Sequence, residues 1–323
     1  MRLYMKTSPG KEKKKPNIQR LHEKVTNLYN AGQFQKAKKL AISTLEEHPN
    51  DGITAFIIAV CTEREGKLQD AIQFCRKAVA ATPGNRDYRK KLAALLLKTK
   101  QLDEAQTLFQ SLHEEDANDR EPLNGLAEIY KNAEDTLNMY RCLLKLKRLG
   151  PLSEIEQICI VEGLNCMTSM PDSEDQEKDL NDFLDYSSVN PNKLISIIND
   201  HFCTKYKLAA DDPTIDIEKL INDKLLHKAA SKVRFCSRYL EELFTKLRHS
   251  ITSEISSNQT IALPFIPLIE AIALQNQINE YIHSISSDEQ QVIEFCSKLL
   301  SIQAKDDNWS PRQSDTASES IST

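Results

Sequence analysis

The chain has 323 residues, 40% of them apolar and 28% charged, and a formal net charge of −5. This is a globular composition with room for two domains, and its acidic balance disfavours a dedicated nucleic-acid binder, whose footprint is a basic surplus. Only eight glycines occur, the last at Gly163, and there is no GxGxxG or GxxxxGK[ST] loop, so no cofactor is expected.

Residues 1–16, "MRLYMKTSPGKEKKKP", read as a flexible basic lead-in, with no apolar core of signal-peptide length. From Asn17 onward, apolar residues recur at the helical period and the helices fall into pairs. "AGQFQKAKKLAISTLEEHP" (31–49) returns as "EGKLQDAIQFCRKAVAATP" (65–83), with Gly32 matched by Gly66, Ala37 by Ala71 and Pro49 by Pro83. A fixed period of about 34 residues marks stacked helix pairs. A third pair keeps the register through Leu102 and Ala105, with Lys100 in place of the glycine and Ala117 in place of the proline. A fourth, "EPLNGLAEIYKNA" then "TLNMYRCLLKLKRLGP", keeps its first helix, whereas its second is expected to arrive about three residues early on a rebuilt turn.

After Gly150-Pro151 the period is lost but helices continue. Ser153 and Glu156 stand in capping-box spacing. "MPDSEDQE" reads as an acidic loop, and helices are expected near 177–186, 192–207, 215–229, 232–256, 264–285 and 288–303. No alternating strand pattern occurs. The expected organisation is all-α: a lead-in (1–16), helical repeats (17–150), a helical domain (151–303) and a polar, disordered tail (304–323).

Eight cysteines, Cys61, Cys75, Cys142, Cys159, Cys166, Cys203, Cys236 and Cys296, form no CxxC pair, which suggests packed thiols in a reducing compartment. The apolar stretch "IALPFIPLIEAIAL" is interrupted by Pro264, Pro267 and Glu270 and is too short to span a bilayer, so a cytoplasmic chain is expected. No HExxH pair or GxSxG elbow exists, and His201 and Cys203 sit two apart, on different helix faces. Glu241, Glu242, Arg248 and His249, or Asn279-Glu280-Tyr281, fit a solvated helix face better than an acid–base constellation. No enzyme activity is expected.

The repeated segments resemble the tetratricopeptide repeat. The small first-helix residue falls at Ala59, Ala93 and Ala127, the turn glycine at Gly32 and Gly66, the second-helix alanine at Ala37, Ala71 and Ala105, and the closing proline at Pro49 and Pro83. The resemblance implies a non-catalytic scaffold that binds a protein or peptide in a concave groove lined by the first helices. Carried over residue by residue, the candidate peptide-binding residues are Tyr29, Asn30, Phe56, Val60, Arg64, Lys90, Lys98, Asn124 and Lys131. Lys90, Lys98 and Lys131 would make the far end positive and favour an acidic ligand. The family's lysine–asparagine carboxylate clamp is absent, because Val60 and Ala94 stand at its asparagine positions.

Residues 215–290 resemble, more narrowly, the helical region between repeats and catalytic domain in bacterial tetratricopeptide-repeat methyltransferases. The matching residues are Leu240, Glu241, Leu243, Leu247 and Arg248, then Phe265, Ala271, Ala273, Gln275, Asn279, Glu280 and Tyr281. The methyl donor's glycine loop is missing. That resemblance implies an alternative: a substrate-recruiting accessory or truncated part of a methyltransferase system, working with a separate catalytic subunit.

Overall fold

A computed structural model describes residues 18–167, 171, 175–209, 216–258, 266–278, 287, 290, 291 and 294. The expected lead-in, the tail and nearly all of the helix at 288–303 lie outside these residues. All regular elements among the described residues are helices. The chain divides into two units at Gly150/Pro151.

The first unit contains four helix pairs. The first helices are α1 (Ile18–Asn30), α3 (Gly52–Arg64), α5 (Arg86–Lys98) and α7 (Arg120–Asn132); the second helices are α2 (Phe34–Glu47), α4 (Leu68–Ala81), α6 (Leu102–Glu115) and α8 (Thr136–Leu149). Every element begins one full period after its predecessor of the same kind, and α8 is no exception. The expected early start of the fourth pair's second helix is therefore corrected: Thr136 stands to Leu102 as Leu102 stands to Leu68.

The turns explain why. Gly32, Gly66, Lys100 and Glu134 occupy the same position in successive repeats, and all have positive φ, at 72°, 78°, 60° and 57°. The amide after each returns to the helix carbonyl five residues back, in the bonds Gln33→Leu28, Lys67→Thr62, Gln101→Leu96 and Asp135→Tyr130. This is the Schellman closure, which needs a left-handed residue whether or not it is glycine. Lys100 and Glu134 adopt that conformation despite the steric cost of a Cβ.

Helix starts follow the same frame. Asp51, Asn85 and Asp119 cap α3, α5 and α7 by accepting the amides of Ile53, of Asp87 and Tyr88, and of Glu121. Inside the pairs, Val25, Ala59, Ala93 and Ala127 are buried, as are Ala37, Ala71 and Ala105, with Met139 at the fourth equivalent position. Small side chains at these points let neighbouring helices approach closely. Gly125 serves the same purpose on α7, because a Cβ there would lie 2.4 Å from the buried ring of Phe109.

The second unit comprises α9 (Glu154–Asn165), α10 (Gln176–Phe183), a 3-10 turn (Pro191–Leu194), α11 (Ile195–Lys205), α12 (Ile217–Asn222), α13 (Lys224–Lys232), α14 (Arg238–Asn258) and α15 (Ile266–Ile278). Ser153 and Glu156 form the capping box at the start of α9. The single helix expected at 215–229 is broken at Asp223, which ends α12 and caps α13 through Leu226 N. The helix expected from 232 starts only at Arg238. Residues between α13 and α14 are held instead by the side chain of Gln275, which donates to Ala230 O (2.8 Å) and Val233 O (2.9 Å) and accepts from Phe235 N (2.8 Å). Of the cysteines, Cys61, Cys75 and Cys142 are buried as small apolar groups, but Cys166 and Cys236 are exposed. Burial pushes the Cys75 thiol up to about 12. No described helix is long and apolar enough to cross a membrane.

Candidate peptide-binding face of the helical repeats

The residues assigned to the groove all lie on first helices, where the repeat frame brings successive pairs side by side. The structure links Tyr29, Phe56, Arg64, Lys90 and Lys98 to a neighbouring repeat rather than leaving them bare. In the first pair, Tyr29 is half-buried, edge-on to Phe34 at 5.4 Å, and the Arg64 guanidinium lies 4.2 Å over Phe34 and 5.9 Å over Tyr29. Asn30 is exposed.

One position shows how the frame works. His22, Phe56 and Lys90 are equivalent residues of α1, α3 and α5, and each reaches the start of the following first helix. His22 Nε2 lies 2.8 Å from Asp51. Lys90 Nζ lies 2.5 Å from Asp119 and 3.2 Å from Glu121. Phe56 stacks on Tyr88, one turn into α5, with ring centroids 4.6 Å apart. The helix caps Asp51 and Asp119 thus serve a second time as bridges between repeats. The arginines at the first position of α5 and α7 repeat as well: Arg86 donates to Leu112 O at 3.1 Å and Arg120 to Leu146 O at 2.9 Å.

The positive charge expected at the far end of the groove is therefore largely spent inside the fold. Lys98 pairs with Glu63 at 2.7 Å, and Lys91 also contacts Glu63. Burial alone would raise the Glu63 pKa, but hydrogen bonds from Lys91 and Lys98 outweigh it and hold the carboxyl below the ordinary range. Burial would likewise lower Lys90, and Asp119 and Glu121 more than restore it, so its ammonium is held above its usual value. Lys131 and Asn124 are exposed on α7. Between these charged links lies an apolar stretch: Phe56 and Val60 on α3, Ala94 and Leu97 on α5, all half-buried.

The bridging caps Asp51 and Asp119 and the stacking partner Tyr88 are not among the residues that the sequence singles out. Asp, Asn and Asp recurring at 51, 85 and 119, two residues after the proline position, is a readable signal for the caps. Nothing in the pattern marks Tyr88.

Models of the tetratricopeptide-repeat family match residues 22–86 and 64–129. Residues 22–129 are tetratricopeptide repeats. The register of α7 and α8 carries the same repeat frame on to Gly150. No curated protein matches the chain. Similar solved structures include a MamA fragment, "41-end", from Desulfovibrio magneticus RS-1, 15% identical, covering 60% of this chain and 97% of that one, at a TM-score of 0.42. A second, a crystal structure of MamA, is 15% identical and covers 49% of this chain and 86% of that one, at 0.41. Likenesses this distant say nothing of function.

In the second unit, the residues carrying the methyltransferase-like resemblance are mainly interior. Leu240, Leu243, Leu247, Arg248, Ala271 and Gln275 are buried, while Phe265 and Asn279-Glu280-Tyr281 lie outside the described residues. Buried residues of this kind set how helices pack. The unit also has a cleft of about 840 Å³ whose lining includes Glu177, Lys205, Tyr206 and Asp223. Lys205 Nζ binds Asp223 at 2.8 Å and Glu177 at 2.6 Å, and the Tyr206 hydroxyl donates to Asp223. These four groups satisfy one another, and Asp223 caps α13 at the same time.

Proposed function

We propose that the repeats form a protein-interaction scaffold that takes a peptide segment along its first-helix face, centred on Phe56, Val60, Ala94 and Leu97. The observation that carries this reading is the half-buried apolar stretch on α3 and α5 within a frame of paired charges. Apolar surface left partly in water gains by being covered, and side chains already held by Glu63 and Asp119 lose little freedom when a ligand arrives. Because Lys90 and Lys98 are already paired, the centre of this face suits apolar side chains in a partner better than acidic ones. Arg64, stacked on Phe34 yet exposed, is placed to meet an acid or a carbonyl at one end.

The test is selection of peptides from a random display library on the full chain, followed by affinity measurement with Val60→Glu and Leu97→Glu. Both substitutions add charge at half-buried positions with little helix cost, which circular dichroism can verify. Apolar-centred peptides that lose at least about tenfold in affinity would support the reading. Peptides that bind both variants as well as the parent would place the working surface elsewhere. Affinity capture from extract reads the alternative, since a methyltransferase retained by both variants would point to the second unit.

A further inference from the structure

The outward face of α8 differs from that of every other second helix. Arg141, Lys145 and Arg148 are exposed, lie at i, i+4 and i+7, and so line one face over about 10 Å. Helix α8 contains no acidic residue. Arg141 contacts the amide oxygen of Asn138 at 3.4 Å, and among the described residues none of the three cations has a carboxylate within ion-pair distance. Elsewhere in this unit Lys38, Arg76, Arg86, Arg89, Lys90 and Lys98 are paired with carboxylates, and exposed lysines without such a pair, such as Lys39 and Lys77, do not line up three to a helix face.

The repeat frame supplies an internal control. The equivalent positions are Lys39, Ser43 and Glu46 on α2, Gln73, Lys77 and Ala80 on α4, and Thr107, Ser111 and Glu114 on α6. Those three sets are mixed or nearly neutral, so the architecture does not require cations there. The helix dipole favours Arg148 in the last turn but does not reach Arg141. Three like charges along one face also repel one another and weaken the helix slightly.

We propose that this face of α8 is a docking surface for an acidic protein segment, one presenting carboxylates at helical i, i+4 and i+7 spacing, and that it acts independently of the first-helix face. Charge complementarity fixes the partner's sign. The width of the stripe favours a narrow partner, because exposed Glu114 near the end of α6 and exposed Glu134 just before α8 add negative charge, whereas Glu115 is held by Arg86 and Arg89 and Asp135 caps α8. A narrow acidic helix can pass between those carboxylates. A nucleic-acid backbone or an anionic bilayer would also meet them and be repelled. A bilayer would find little to insert, since Leu137, 39% exposed, is the large apolar residue of α8 most open to water.

The experiment uses the full chain and a fluorescently labelled alanine-rich peptide with glutamates at i, i+4 and i+7, its glutamine analogue serving as control. Anisotropy titrations compare the parent with Arg141→Gln/Lys145→Gln/Arg148→Gln and with a charge-matched variant, Lys36→Gln/Lys39→Gln/Lys77→Gln. The α8 variant should weaken binding at least about tenfold and the charge-matched one no more than about twofold, with binding to the parent falling steeply between about 50 and 300 mM salt. Circular dichroism confirms that both variants fold. The proposal is overturned by equal weakening in the two variants, by equal binding of the glutamine peptide, or by a requirement for the α8 cations in binding a single-stranded oligonucleotide or phosphatidylserine vesicles but not the acidic peptide.

Discussion

Gly125→Ala is a change most helices would welcome, and here it should destabilise. Replacing glycine in a helix interior by alanine ordinarily gains about 0.5–1 kcal/mol. At this site the new methyl would stand 2.4 Å from Phe109, whose ring is 2% exposed and closed in by α6 and α7. Reaching ordinary carbon–carbon separation means displacing that ring by about 1 Å. Overpacking of this kind costs about 1–3 kcal/mol, so subtracting the propensity gain leaves an expected net loss centred on about 1 kcal/mol and reaching at most about 2.5 kcal/mol. Urea unfolding followed at 222 nm measures it as a lower midpoint at unchanged slope. Phe109→Leu should remove the obstacle, so the double-mutant cycle should return a favourable coupling of about 1 kcal/mol or more. A neutral or stabilised Gly125→Ala, or a penalty that persists undiminished in the Phe109→Leu background, would refute the packing argument.

Three further outcomes follow from features described above. Lys100→Gly and Glu134→Gly should each raise stability by about 0.5–1 kcal/mol by relieving left-handed strain, while Gly66→Ala should lower it by about 1 kcal/mol; thermal midpoints with the opposite order would contradict the turn assignment. Gln275→Leu should cost about 2–5 kcal/mol, since it strands two carbonyls and one amide in the interior of the second unit, and a loss under about 1 kcal/mol in denaturant titration would show that water or rearrangement satisfies them. Acidification should destabilise the chain in two stages. Burial holds His113, His201 and His227 below their usual value, so the stability tied to their neutral forms is present above about pH 6.5 and is lost as pH falls further. Glu63, Asp119 and Asp223 are depressed by their lysine partners against the opposing effect of burial, so their contribution is present above about pH 4 and is lost below it. A thermal midpoint that stays level from pH 7 to 5, or that is unaltered in this range by His201→Leu, would contradict the first stage.

How much of this is readable in advance depends on the range over which each feature is determined. The repeat is legible because its signature residues act locally: a glycine relieves one turn, and an alanine admits one neighbouring helix. The fourth repeat misleads for the same reason. Glu134 and Met139 carry neither mark, yet the closure from Asp135 to Tyr130 is made by backbone alone. Pro151, which stands to Ala117 as Ala117 stands to Pro83, is the cue that restores the register. The break at Asp223 has a comparable local cue in an Asp that can cap, whereas the extended segment after Val233 depends on Gln275, about 40 residues away, and no window of sequence contains both. Candidate face residues are legible as positions but not as chemistry. Whether Lys90 is an open charge depends on Asp119 in the next repeat, a contact set by stacking rather than by spacing along one helix.

The position shared by His22, Phe56 and Lys90 gives the three junctions between successive repeats different bonding, polar at the outer two and aromatic in the middle. Added salt weakens an ionic contact and leaves ring stacking almost untouched. Salt would weaken the Lys90–Asp119 contact between α5 and α7, and the Glu63 pairs with Lys91 and Lys98 between α3 and α5, but the stacking of Phe56 on Tyr88 would hold α3 to α5 after those charges are screened. That sets a contact indifferent to salt directly beside Val60, Ala94 and Leu97, so the spacing of α3 and α5 under this apolar stretch does not depend on charge alone.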